Sequence, residues 1–274
     1  MNTQYLEHQG GKIAYDVSGS GPLVILSPSL GDLRGEYRFL IPQLVENGFR
    51  AASMDVRGHG ETSVRWPDYS VAGVGSDILA LARHLDDGPA VIIGTSMSAG
   101  AAVWAAAEAP ELVAGILLIG PFVRGETTMQ NRLLYTTLFA RPWGPGMWIK
   151  YFSTLFPTRK PGDFAEYTAR LKVNLAESGR LEALRQMLYA SKAASEARLK
   201  DVSAPAMILM GSQDPDFKDP VAEAADIAQN LKGQFHMIDN AGHYPHVDMP
   251  EQTSPVVLSF LQQVYAPVRQ YHAA

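Results

Sequence analysis

Three side chains have the types and the chain order that nucleophilic catalysis by serine requires. Ser96 lies in the stretch VIIGTSMSAG, Asp214 in GSQDPD and His243 in NAGHY. A serine hydroxyl is a poor nucleophile at neutral pH and needs a base, usually a histidine that a buried carboxylate orients. The sequence therefore predicts Ser96 as nucleophile, His243 as base and Asp214 as the acid that holds the base.

The surroundings of Ser96 favour a sharp turn between a strand and a helix. An apolar run at 90–93 precedes it and Ala-rich, helix-like sequence begins near residue 99. Such a turn needs small residues two positions before and after the nucleophile, and Gly94 and Ser98 meet this requirement. It also aims the next backbone N–H, that of Met97, at the reaction centre. The alternative is that Ser96 only caps the helix.

The elements that must position these residues alternate regularly along the chain. Segments 4–8 and 12–18 are typical of an antiparallel hairpin that turns at Gly10-Gly11. Short apolar runs, typical of parallel strands buried on both faces, lie at 23–26, 51–56, 90–94, 115–120, 206–211 and 234–239. Helix-like segments lie at 35–47, 71–85, 99–109, 221–231 and 250–264. This order predicts an α/β fold with a doubly wound, mostly parallel, eight-stranded sheet.

The stretch 122–200 interrupts this alternation with several amphipathic helix candidates and no convincing strand. We therefore predict a core made of residues 1–121 and 201–274, with a helical insertion at 122–200. Aromatic residues and methionines are dense in the insertion, and two roles are open for them. They pack helix against helix, or some of them line an apolar pocket.

Four motifs together resemble those of the α/β-hydrolase superfamily over nearly the full length. They are GTSMSAG at the predicted nucleophile, DVRGHGETS at 55–63, GSQDPD at the acid and AGHYPHVDMPE at the histidine. The resemblance implies that fold with a helical cap, and a reaction without metal or organic cofactor. It also selects Asp214 over Asp216 and Asp219, and His243 over His246. His59, in the RGHG turn, is expected to be a structural loop residue.

Acyl transfer also needs donors for the oxyanion, and one of them is the Met97 N–H. In the superfamily the other comes from the loop after the third strand, usually as His-Gly followed by the donor residue. Here Ser27–Gly31 (SPSLG) occupies that loop, with Pro28-Ser29 in place of His-Gly. The resemblance therefore implies Leu30 N–H as the second donor.

The resemblance also narrows the substrate. The dehalogenase and epoxide hydrolase branches have aspartate in place of Ser96, the carbon–carbon hydrolases typically have tryptophan in place of Tyr244, and proline iminopeptidases usually have tryptophan in place of Met97. Esterases and lactonases remain. We expect cleavage of a small, mainly hydrophobic ester or lactone through an acyl-enzyme. A carbon–carbon bond hydrolase and a ligand-binding signalling regulator are the alternatives. Three charged residues either edge the entrance or are ordinary surface charges: Asp32, Arg34 and Arg124.

Composition excludes several other classes. The 274 residues carry 28 acidic and 23 basic side chains, a formal charge of −5 with no block of like charge. This gives no footprint for nucleic acid or an anionic membrane, so a small molecule is the expected partner. The chain has no cysteine and so no disulfide, thiol nucleophile or thiolate metal site. Its first residues lack a signal-peptide pattern and no apolar segment approaches about 18 residues, which favours a soluble cytoplasmic protein.

Overall fold

Eight strands form one sheet in the part of the chain that the structure describes. The computed structural model describes residues 2–271, with side chains described for residues 2–266. Met1 and residues 272–274, which belong to the predicted core limits, lie outside the described residues. The strands are β1 (Gln4–His8), β2 (Gly11–Ser18), β3 (Leu23–Ser27), β4 (Arg50–Met54), β5 (Ala90–Thr95), β6 (Val113–Ile119), β7 (Ala206–Gly211) and β8 (Gln234–Ile238).

The strand order across the sheet is β1-β2-β4-β3-β5-β6-β7-β8. β2 pairs antiparallel with β1 and β4, and the other five pairings are parallel. The predicted eight-stranded, mostly parallel sheet is confirmed. The strand order reverses beside β3, so a crevice forms where the carboxyl ends of β3 and β5 meet, the usual place for ligands on such sheets.

Helices cover both faces of this sheet, and further helices lie in the segment between β6 and β7. They are α1 (Leu40–Glu46), α2 (Val71–Leu85), α3 (Met97–Glu108), α4 (Met129–Leu138), α5 (Gly144–Thr154), α6 (Phe164–Ala176), α7 (Arg180–Tyr189), α8 (Ala193–Glu196), α9 (Pro220–Leu231), α10 (Pro245–Asp248) and α11 (Pro250–Tyr271). Short 3-10 helices lie at Arg34–Tyr37, Pro110–Leu112 and Leu199–Asp201. Among residues 2–271, no helix has the length and apolar character needed to cross a membrane.

Each central strand contributes to two apolar layers, because successive side chains point to opposite faces. In β3, Leu23 and Ile25 join the layer that includes α2, α3 and α9, whereas Val24 and Leu26 join the layer that includes α1 and α11. All four side chains are buried. This two-sided burial explains why the strands appear in the sequence as continuous apolar runs.

Two predicted elements differ in detail from the structure. The predicted helix at 35–47 is divided into the 3-10 helix Arg34–Tyr37 and α1. Pro42 has no N–H to donate to the carbonyl four residues earlier, which accounts for the break just before it. The hairpin turn lies at Gln9-Gly10, both with positive φ (47° and 79°), so Gly11 already belongs to β2.

The segment between β6 and β7 contains α4 to α8 and, in its described residues, no strand. Its aromatic side chains pack mainly on each other, as Phe152 does on Phe156 and Tyr167, and on Tyr244 from the loop after β8. These helices therefore lie over the edge of the sheet where β3 and β8 end. That residues 122–200 form a separate cap stays a prediction.

Candidate active site

The turn between β5 and α3 holds Ser96 in a strained conformation. Its φ is 57° and its ψ −118°, a combination outside the regions that non-glycine residues normally occupy and one that costs about 1–3 kcal/mol. Ser96 N–H donates to Ile119 O at 2.8 Å, and Phe122 N–H donates to Ser96 O at 3.1 Å. A Cβ at Gly94 would collide with the carbonyl oxygen of Ser98. Glycine is therefore required two residues before Ser96.

Ser96 and Ser98 have different surroundings in this turn. The Ser96 side chain accepts no capping hydrogen bond at the start of α3, so the capping role is not observed. The Ser98 hydroxyl donates to Pro28 O at 2.6 Å and accepts a hydrogen bond from Ser27 Oγ at 3.0 Å. Ser98 thus ties the turn to the loop after β3, a role that its small size alone does not reveal in the sequence.

The loops after β7 and β8 bring Asp214 and His243 together. His243 Nδ1 lies 2.7 Å from Asp214 Oδ2, and both side chains are buried. Asp216 Oδ2 is 4.0 Å from the same nitrogen. The Asp219 carboxylate instead caps α9 by accepting a hydrogen bond from Ala222 N–H. Of the three carboxylates weighed from the sequence, Asp214 is the one at hydrogen-bond distance from the histidine.

The His243 ring is enclosed by backbone and aromatic groups. A Cβ at Gly120 would lie 2.8 Å from His243 Cε1, and the Phe122 ring centre is 6.0 Å away. Burial by itself lowers the pKa of His243. The charge of Asp214, its hydrogen bond and the charge of Asp216 outweigh this effect and raise the pKa to about 9. The site is therefore built to stabilise an imidazolium.

The loop after β3 leaves one N–H unbonded between two that are bonded. Ser29 N–H donates to Glu36 Oε2 at 2.8 Å, and Gly31 N–H donates to His59 Nε2 at 3.0 Å. Between them, Leu30 N–H donates to no acceptor within residues 2–271. The two anchors therefore hold the loop while its middle amide stays available.

The neutral form of His59 suits this anchoring role. Its Nδ1 donates to Arg57 O at 3.1 Å, which leaves Nε2 as the acceptor for Gly31 N–H. Burial lowers the pKa of His59 to about 4, so the ring stays neutral. The expectation that His59 is a structural loop residue agrees with these contacts. Its partner in the loop could not be read from the sequence.

Glu36 and His246 form a second buried support. His246 Nε2 lies 3.0 Å from Glu36 Oε1, and the His246 ring stacks on Tyr37 at 5.1 Å. Burial lowers the pKa of His246 to about 3 and raises that of Glu36 to about 7. This places His246 behind the loop, away from the contact that His243 makes with Asp214. No motif in the sequence indicated Glu36 as part of this support.

The candidate nucleophile, base and oxyanion donors all border one cavity of about 410 Å³. Ser96 and His243 line it, as do Leu30 and Met97. Met97 N–H, like that of Leu30, has no acceptor in the described part of the chain. Its other lining residues are Ser29, Phe122, Arg124, Gly125, Glu126, Thr127, Asn131, Tyr135, Leu138, Phe139, Trp148, Tyr151, Leu155, Leu188, Lys192, Asp216 and Tyr244. Most of these come from the helical segment, and most are apolar or aromatic.

Two side chains of α5 connect the helical segment to the site. Trp148 Nε1–H donates to Gly31 O at 2.8 Å, and a Cβ at Gly31 would collide with the Trp148 ring. The Tyr151 hydroxyl lies 2.7 Å and 2.9 Å from the two carboxylate oxygens of Asp216. Helix α5 is therefore hydrogen-bonded both to the loop after β3 and to the loop after β7, which contains Asp214 and Asp216.

The charged residues named from the sequence occupy different places. Asp32 is buried, and Tyr167 OH donates to it at 2.5 Å. Arg34 pairs with Asp16 at 2.7 Å and also with Asp55. Neither of them lines the cavity, and Asp32 is not a surface charge either, whereas Arg124 does line the cavity. The buried Asp32 carboxyl has a raised pKa because burial and the nearby Glu36 both disfavour its charge.

Asp214, Asp216 and His243 also offer oxygen and nitrogen atoms within 4.8 Å of one another, as a metal site would. The ligand atoms of Asp214 and His243 favour a hydrogen bond between them over a bound metal ion. The 2.7 Å contact between Asp214 and His243 is a hydrogen-bond distance, and a cation bound to Nδ1 would have to replace the hydrogen of that bond. Tyr151 already donates to Asp216.

Comparison with known families agrees with this geometry. A family model described as alpha/beta hydrolase fold matches residues 22–250. The chain belongs to the α/β-hydrolase fold family. The predicted resemblance is therefore confirmed.

Sequence relatives of this α/β-hydrolase include an uncharacterized protein, a receptor and an enol-lactonase. It is 29% identical over 116 residues to an uncharacterized protein of Mycobacterium tuberculosis, a match that covers 42% of the chain and about a third (34%) of that relative. It is 26% identical over 267 residues to the karrikin insensitive 2 receptor IA of Petunia hybrida, covering 90% of the chain and 93% of the relative. It is 23% identical to 3-oxoadipate enol-lactonase 1 of Acinetobacter baylyi over 269 residues, covering 93% and 95%.

Solved structures support the fold of this α/β-hydrolase. A thermophilic esterase from Thermogutta terrifontis superposes with a TM-score of 0.80 at 21% identity, covering 96% of this chain and 99% of that one. The enol-lactonase of Burkholderia xenovorans LB400 gives a TM-score of 0.79 at 19% identity, covering 94% and 100%. At these identities the likeness concerns the fold alone.

Proposed function

We propose that the chain is a serine hydrolase that cleaves a small, mainly hydrophobic ester or lactone through an acyl-enzyme. One observation carries the proposal. A serine held at a strained turn, a histidine bonded to a buried aspartate and two unbonded amides all converge on one cavity. This combination provides the nucleophile, the base and the oxyanion donors that acyl transfer needs.

In the proposed mechanism Ser96 Oγ attacks the carbonyl carbon while His243 accepts the hydroxyl proton. The N–H groups of Leu30 and Met97 donate to the oxygen that becomes negative. Asp214 holds the imidazole through Nδ1 and stabilises its positive charge. The imidazolium then gives its proton to the leaving oxygen, and a water molecule activated by the same histidine releases the acid and frees the serine.

The cavity supports the substrate class. A volume of about 410 Å³ suits a small molecule, and aromatic side chains from the helical segment form much of the wall. We propose that residues 122–200 act as a cap that selects the acyl and leaving groups. Relatives named as an esterase and as enol-lactonases agree with a carboxylic ester or lactone.

Labelling with a serine-reactive fluorophosphonate tests this function. The native protein should be labelled at Ser96, as identified by peptide mass spectrometry, and denatured protein should not be labelled. Turnover of short-chain p-nitrophenyl esters should accompany labelling. Labelling at Ser98 or at no serine would contradict the proposal. Labelling with only a single turnover would instead support the signalling alternative, which the receptor from Petunia hybrida also favours.

Replacing Ser98 with alanine is expected to slow the enzyme without stopping it. The hydroxyl contributes a hydrogen bond to Pro28 O, and losing one such bond corresponds to about 1 kcal/mol, or about a 5-fold lower kcat/KM if the loop loosens. Steady-state hydrolysis of p-nitrophenyl butyrate measures this. Ser178→Ala, at an exposed serine, is the control. Complete loss of activity would mean that Ser98 rather than Ser96 is the nucleophile.

Replacing Asp216 with asparagine is expected to shift the pH profile of hydrolysis toward lower pH. The active base is neutral His243, so kcat/KM rises as pH increases through its pKa. The Asp216 charge raises this pKa, and its removal lowers it. We expect the midpoint of the kcat/KM profile to fall by about half a pH unit or more. Asp219→Asn, at the start of α9, should leave the midpoint in place, and an unchanged midpoint in Asp216→Asn would refute this coupling.

A further inference from the structure

The ammonium group of Lys192 is a cation without a partner in the proposed substrate cavity. Lys192 lines the cavity and is partly buried. Among the side chains of residues 2–266, no carboxylate lies within 4.0 Å of its Nζ, and no acceptor bonds to it. Burial lowers the pKa of Lys192, because the charged form loses water without gaining a counterion. A bound anion would remove this imbalance.

The other charges around the cavity already have partners. Arg124 Nη2 lies 2.8 Å from Glu223 Oε2, and a second carboxylate, Asp226, pairs with Nη1. Asp216 accepts hydrogen bonds from Tyr151. The exposed carboxylate of Glu126 accepts a hydrogen bond from Ser191 Oγ at 3.2 Å. Lys192 is therefore the cation in this wall that remains available to a ligand.

A short chain of contacts connects Lys192 with the nucleophile. Lys192 N–H donates to Gly125 O at 3.1 Å. Gly125 follows Phe122 by three residues, and Phe122 N–H donates to Ser96 O at 3.1 Å. Ser195 Oγ donates to Val123 O at 2.7 Å, which fixes α8 against the same stretch. The backbone that carries the ammonium is thus held in a definite position relative to the reacting serine.

We propose that Lys192 binds a carboxylate at the end of the substrate remote from the scissile bond. The substrate class is then a half-ester of a short dicarboxylic acid, or a lactone that carries a carboxylate. This inference rests on the proposed hydrolase function and deepens it. The apolar wall contacts the carbon chain, the two amides bind the carbonyl oxygen and Lys192 binds the terminal anion.

Two p-nitrophenyl esters with acyl chains of equal carbon count test the proposal. One is the glutarate half-ester, which ends in a carboxylate, and the other is the valerate ester, which ends in a methyl group. In the native enzyme, kcat/KM should favour the glutarate ester. Lys192→Met should lower the ratio of the two kcat/KM values by about 10-fold or more, about the loss expected for one charge-assisted hydrogen bond. Lys192→Arg should keep most of the preference.

Lys172→Met, at an exposed lysine of α6 that does not line the cavity, is the matched control and should leave the ratio unchanged. An equal ratio in the native enzyme and in Lys192→Met would overturn the inference, while hydrolysis of valerate would still support the hydrolase function. If neither ester is cleaved, the hydrolase function fails. Calorimetric titration with glutarate then tests the carboxylate-binding role of Lys192 separately from hydrolysis. Glutarate should bind more weakly to Lys192→Met than to the native protein, and equal binding would refute the inference.

Discussion

Replacing Ser96 with alanine is expected to lower kcat for a p-nitrophenyl ester by about 10⁴-fold or more, as loss of a catalytic nucleophile does in comparable sites. The amides of Leu30 and Met97 and the cavity remain, so KM should change little. The turn should keep its conformation, because the strain at a φ of 57° arises from the Cβ atom, which alanine retains, so the circular dichroism spectrum should stay unchanged. Steady-state kinetics and circular dichroism measure both effects.

The double variant Ser96→Ala/His243→Ala provides a sharper control. If serine and histidine act as one unit, removing both costs about as much as removing either, because the second loss acts on a unit that is already disabled. Independent contributions would multiply instead. A Ser96→Ala enzyme that retains more than about a tenth of its activity would contradict the assigned nucleophile, since such a residual rate exceeds what binding alone supplies.

The second large effect concerns stability and arises from the buried pair Arg57 and Asp77. Both side chains are fully buried, and Arg57 Nε and Nη2 each lie 2.7 Å from an Asp77 carboxylate oxygen. Arg57 also donates to Asp68 O at 2.6 Å and lies over the Trp66 ring at 4.5 Å. Arg57→Leu removes both 2.7 Å bonds from the buried Asp77 carboxylate and leaves His8 Nε2 at 3.8 Å, so it is expected to lower the free energy of unfolding by about 3–5 kcal/mol. Urea denaturation measures this.

The companion variants are Asp77→Leu and the double variant Arg57→Leu/Asp77→Leu. Each single change leaves one buried charge without its two-bond partner, whereas the double variant removes both charges. We therefore expect the double variant to be more stable than the sum of the single losses predicts. Additive losses, or a loss below about 1 kcal/mol for Arg57→Leu, would mean that water reaches the remaining partner and that the pair stabilises little.

Local patterns predicted the sheet and the edge at which the candidate site residues lie. Each parallel strand is buried on both faces, so it appears as an apolar run that ends at a glycine or a polar loop. Ser96, Asp214 and His243 each follow such a run, and the family resemblance selected Asp214 and His243 from their acidic and histidine neighbours. The two loops after β7 and β8 end at the same edge of the sheet, and the side chains meet there at 2.7 Å.

The supports of the site could not be predicted, because they depend on contacts between distant segments. The His59 bond to Gly31 spans 28 residues, and the Trp148 bond to the same glycine spans 117. The hydrophobic periodicity of the sequence contains no information about such long-range hydrogen bonds. Burial of a charged residue is also difficult to predict from the sequence. Aspartate is usually a surface residue, whereas Asp32 is buried in the structure.

Because the residues on either side of Leu30 are hydrogen-bonded, the position of the Leu30 N–H does not depend on the Leu30 side chain. The proposed oxyanion donor is the main-chain N–H of Leu30, held in place through Ser29 and Gly31, whereas Leu30 itself lines the cavity. Exchanging that side chain reshapes the space offered to a substrate and leaves the donor where it is. Position 30 is thus a place where selectivity can diverge between related enzymes, by a single substitution, without rebuilding the chemistry beside it.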